Sequence, residues 1–89
     1  MKEKLTKEEY NEIEKLVKDA MYSPNKKEAQ NYIDKIQSYE IGLYGRASII
    51  LSELVCYVKD ASGRVTNKER RIESVNSKLF ELEGCGVED

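Results

Sequence analysis

The side chains able to do chemistry in this chain are carboxylates, two thiols and a run of cations; among its 89 residues there is no histidine. General acid–base work near neutral pH most often relies on imidazole. Its absence removes Ser–His and Cys–His nucleophile pairs, and with them the Glu-x-x-His motif of carboxylate di-iron bundles. Glu8 with Glu12, and Glu69 with Glu73, stand four positions apart, which puts each pair on one face of a helix. In a chain with 36% charged residues such pairs read as solvated surface, and nothing singles one out as an acid and its base. Cys56 and Cys85 are too few to build a structural zinc site. Cys56 reads as a small buried hydrophobe, and Cys85, between two glycines, as an exposed thiol. No phosphate-cradling Gly-x-x-x-x-Gly-Lys-Ser/Thr loop occurs. The expectation is a protein that is not an enzyme, with no catalytic residue, cofactor or metal.

The cations are more pointed. Arg64, Lys68, Arg70 and Arg71 gather where the last helix begins, and the free backbone N–H groups of a helix N-terminus also favour anions. One reading is contact with phosphate or DNA through these four residues. The other, which we prefer, is a plain solvated face. A helix-turn-helix wants a small residue four before its turn glycine, whereas Lys59 stands there before Gly63. The net charge of −2 opposes a phosphate field, so nucleic acid is not the expected partner.

Helices must position these groups. Thr6 and Glu9 have capping-box spacing, and Leu5 with Tyr10 the spacing of a hydrophobic staple. Tyr10, Ile13, Leu16, Val17, Ala20 and Met21 then follow at helical intervals, predicting a helix over about 6–22. Ser23-Pro24 reads as a cap and first helical position. From there Ala29, Ile33, Ile36, Glu40, Leu43, Ala47, Ile50 and Leu54 keep one helical phase through Gly42 and Gly45, in steps of four and three. That continuity favours a single helix over about 24–61; a break near Gly42 is the alternative, giving four helices instead of three. Gly63 suits a left-handed helix end. Thr66 and Glu69 repeat the capping-box spacing, and Ile72, Val75, Leu79 and Leu82 fill a last helix over about 66–83. The fold class is therefore all-α, a small helical bundle in one domain over 1–89, with 84–89 read as a flexible tail.

Two surfaces stand out on that frame. Gly45, Ile49, Ser52 and Cys56 form a narrow seam of small and apolar residues away from the core face of the middle helix. Either the bundle's own helices bury it, or another chain does. Tyr supplies six of the seven aromatic residues. Tyr39 and Tyr44 crowd beside Arg46, a combination common in interface hot spots and equally able to cover the rim of a thin core. Two cysteines in so short a chain fit a reducing, cytoplasmic compartment, and no stretch is apolar enough to span a membrane. The richness in Lys, Glu, Ile, Asn and Tyr is that of an AT-rich bacterial or phage genome. The expected function is protein interaction: a small regulator, adaptor or inhibitor that binds a larger protein, and itself as a homodimer. A DNA- or phosphate-binding domain and a structural or assembly component are the alternatives.

Overall fold

A computed structural model describes residues 2–88, and Met1 and Asp89 lie outside the described residues. Four helices follow one another, α1 (Lys7–Met21), α2 (Lys26–Ser38), α3 (Arg46–Ala61) and α4 (Lys68–Cys85). They pair as two hairpins, α1 on α2 and α3 on α4, with α2 and α1 closing onto α3. The all-α bundle expected from the periodicity is what forms, and its four-helix version is the one realised.

α1 starts as its sequence specifies. The Thr6 hydroxyl accepts from the Glu9 N–H at 3.1 Å, and the Glu9 carboxylate accepts from the Thr6 N–H at 2.9 Å. Lys2 joins this box as the ion-pair partner of Glu9. Those two interactions hold the Glu9 carboxyl below the usual carboxylate range. Leu5 and Tyr10 are both buried, as a staple requires. The start of α2 departs from expectation. Asn25 is the cap, accepting from the Glu28 N–H at 2.8 Å, while the Ser23 hydroxyl turns back to donate to the Ala20 carbonyl. Pro24 thus sits in the turn, before the helix.

The long middle helix does not form. α2 ends at Ser38, and the chain passes through tight turns in which Tyr39, Glu40 and Leu43 N–H groups bond three residues back. Gly45 then takes φ 76° and ψ −150° as the residue preceding α3, a backbone region open essentially to glycine alone. Leu43 still reaches the core, 4% exposed, but it enters from a turn. Its place in the apolar series is therefore genuine, although the helix inferred from it is not. Gly63 takes φ 71° after α3, as expected for a helix end.

α4 also begins differently. Asn67 holds φ 53° and no side chain caps the helix, so the Thr66–Glu69 box does not assemble. Asn tolerates this left-handed position better than most residues. At the other end, α4 runs on to Cys85 and the expected loose tail is pinned. The Leu5 N–H donates to the Gly86 carbonyl and the Glu88 N–H donates to the Leu5 carbonyl, while Val87 is buried. On its other side Lys2 pairs with Gly42 and Tyr44. The segment 2–5, which bends at Glu3 and Lys4, thereby clasps the α2–α3 turn to the end of α4. An apolar residue on each partner, Leu5 and Val87, makes that closure favourable.

Candidate functional site

The outward ridge of α3 carries the predicted seam. One face of this helix, with Ala47, Ile50, Leu51, Leu54, Val58 and Ala61, is buried in the core together with Val55. Opposite it, Gly45, Ile49, Ser52 and Cys56 all face solvent. None of the bundle's own helices covers them. Ile49 is 63% exposed, and the exposed Cys56 corrects the expectation that it is a buried hydrophobe; at 100° per residue it falls opposite Leu54 and Val58. Tyr44 and Arg46 are exposed at the N-terminal end of the ridge, beside the 81%-exposed Ile41 in the preceding turn. Tyr39 parts company with them: it packs half-buried against the core, and burial first, then Glu12 beside it, raises its pKa. Tyr57 lies partly exposed on the flank of α3, its ring centroid 6.0 Å from the Lys78 ammonium.

The basic cluster resolves into structure. The last carbonyls of a helix lack intrahelical partners and carry its negative dipole end. α3 places its final carbonyls, and α1 its last one, at a common corner of the bundle. There the Lys68 ammonium donates to the carbonyls of Met21, Ala61 and Gly63, the last at 2.7 Å. Lys26 donates to the carbonyls of Lys59 and Ser62 at 2.8 and 3.2 Å. Arg71 pairs with the Asp60 carboxylate and donates to the carbonyl of Thr66 at 2.7 Å. Burial, and Lys26 nearby, push the Lys68 pKa below the ordinary lysine value, so the corner carries a desolvation cost that the carbonyls offset. Of the four cations expected to meet an anion, only Arg64 and Arg70 have no hydrogen-bonded or ion-paired partner among the described residues. The trough in front of Arg70 is lined by Glu69 and Glu73 as well as Asn67 and Lys68, which makes it a poor well for phosphate.

Three contributors escaped the sequence reading. Lys26 gave no cue, because its partners are carbonyls more than thirty positions away. Asn25 did give one: Asn25 and Glu28 have cap spacing, overshadowed by Ser23-Pro24. The clasp had only the isolated apolar residues Leu5 and Val87 to announce it.

Among the described residues no three of the Asp, Glu and Cys side chains gather to hold a metal, and no helix is long and apolar enough to cross a membrane. No family model matches the chain, and comparison with curated proteins and with solved structures likewise gives no match.

Proposed function

We propose that this chain is a non-enzymatic protein-interaction module, a small regulator, adaptor or inhibitor in a reducing, cytoplasmic compartment, which docks another protein through the outward ridge of α3. The observation that carries the reading is Ile49, a β-branched aliphatic side chain left 63% exposed in a row otherwise made of Gly45, Ser52 and Cys56. Small neighbours allow a second helix to approach closely, and the exposed Ile49 supplies apolar area that burial would reward. Tyr44 and Arg46 at the end of the row are residue types enriched at binding hot spots. A structural or assembly role would use the same ridge. The phosphate reading is left with Arg64 and Arg70, since Lys68 and Arg71 are occupied within the bundle.

The test is affinity capture from the source cell with wild type and with Ile49→Lys, read by mass spectrometry. The substitution lies on solvent-facing surface, so helical circular dichroism should be retained. A partner lost selectively from the variant supports the reading. An unchanged set of captured proteins overturns it.

A further inference from the structure

We infer that the helix seated on this ridge is α3 of a second copy of the chain, running antiparallel across a two-fold axis beside Ser52; the inference rests on the ridge being the docking surface. The distribution of charge along α3 selects the occupant and its direction. Arg46 stands at the N-terminal end of the exposed side and Asp60 at the C-terminal end. At 100° per residue the fourteen positions between them return to within about 40° of the same flank. Arg46 has no ion-pair partner among the described residues, while Asp60 is shared with Arg71. A parallel copy would bring like ends level, Arg46 with Arg46 and Asp60 with Asp60, on opposite sides of the pair, so neither Arg46 would meet an Asp60. An antiparallel copy sets each Arg46 beside the other copy's Asp60, twice over, and opposes the two helix dipoles.

The apolar residues obey the same symmetry. Ile49 precedes Cys56 by seven positions, so an antiparallel pair seats each Ile49 on the other copy's Cys56, with the axis midway at Ser52 and Glu53. Such an interface is isologous and closes on itself as a dimer. Glu53 would meet its own counterpart near the axis, and Lys78, 3.2 Å from its carboxylate, supplies the cation that makes this tolerable. A sixteen-residue helix offers a contact about 24 Å long. The pair is thus a single helix–helix contact, so the dimer is weak and its formation depends on concentration.

The experiment uses the full chain carrying Cys85→Ser, so that Cys56 is the remaining thiol. Sedimentation should show a concentration-dependent dimer, and Ile49→Lys should shift it to monomer. Mild oxidation should leave the parent uncrosslinked, because the two Cys56 residues would lie about 10 Å apart along the helices, beyond the roughly 7 Å between Cα atoms that a disulfide spans. Adding Ile49→Cys should give disulfide-linked dimers. A parent that stays monomeric at every concentration overturns the inference, and if Ile49→Lys still loses a foreign partner the docking ridge stands without it. Parent dimers crosslinked through Cys56 alone overturn the antiparallel arrangement. A dimer that persists unchanged in Ile49→Lys overturns the two-copy ridge, and capture with that variant then decides separately whether the ridge serves a foreign partner.

Discussion

Replacing Lys68 with Met keeps the aliphatic stem and removes only the ammonium that bridges the ends of α1 and α3. Two helix C-termini lose a cation, at Met21 and at Ala61–Gly63; each such dipole interaction is typically worth about 0.3–1 kcal/mol. Three carbonyls also lose a donor, and a charge-assisted hydrogen bond contributes about 1.5–3 kcal/mol when formed well. One ammonium serves all three, and its desolvation, visible in the lowered pKa, takes back part of the gain. Water can reach the corner and replace some donors. The sum comes to roughly 2 kcal/mol lost. Urea denaturation followed by circular dichroism measures it, with the midpoint moving down at unchanged slope. Arg64→Met is the control, expected within about 0.5 kcal/mol of wild type because Arg64 is an exposed surface residue. A Lys68→Met loss no larger than that of the control would refute the account and return Lys68 to the candidate anion contacts.

Gly45→Ala should destabilise by about 1–3 kcal/mol, because φ 76° with ψ −150° is strained for any residue with a Cβ; Gly42→Ala, with open space around the added methyl, should change little, and equal effects in denaturation would contradict the turn. Tyr10 has its pKa raised to about 12 by burial, then by Glu83 and Glu14, so above its ordinary value near 10 the unfolded chain sheds that proton while the folded chain keeps it. Stability present below pH 10 should therefore fall between about pH 10 and 12, by up to roughly 2–3 kcal/mol, and Tyr10→Phe should flatten that decline in alkaline denaturation. Duplex DNA should bind only weakly, through non-specific phosphate contacts that salt abolishes; a sub-micromolar complex lost on Arg70→Glu with Arg71→Glu would show that the cluster serves nucleic acid after all.

Periodicity made α1 and α4 legible because their apolar residues meet a single core face, and the Thr6–Glu9 box is entirely local. The break before α3 was masked by arithmetic. The turn from Tyr39 to Gly45 is seven residues long, two helical turns' worth, so the apolar series resumes in phase on its far side. Gly45 held the answer, but a glycine's type does not state its φ. The seam was found by the same helical angles that defined the core, since both faces belong to one regular helix. The bonds of Lys68 and Arg71 were not legible in the basic run for a different reason: a cation's neighbours in sequence say nothing about the distant carbonyls and carboxylates that claim it. Cys56 was misjudged on residue type, where its angle on the helix already pointed outward.

The clasp has a consequence for the order in which the chain folds. Each hairpin, α1 with α2 and α3 with α4, closes over a short stretch of sequence and can form early. The bonds from Leu5 to Gly86 and Glu88 join nearly opposite ends of the chain, and their loop-closure entropy is recovered only once both hairpins stand in place. They should therefore form last, and in the native state open first. When segment 2–5 lifts away, Leu5 leaves an apolar slot beside Val87, and the backbone at 42–44 and at 86–88 loses its pairing. The latch thus decides whether two quickly made hairpins behave as one cooperative body or as two loosely joined ones.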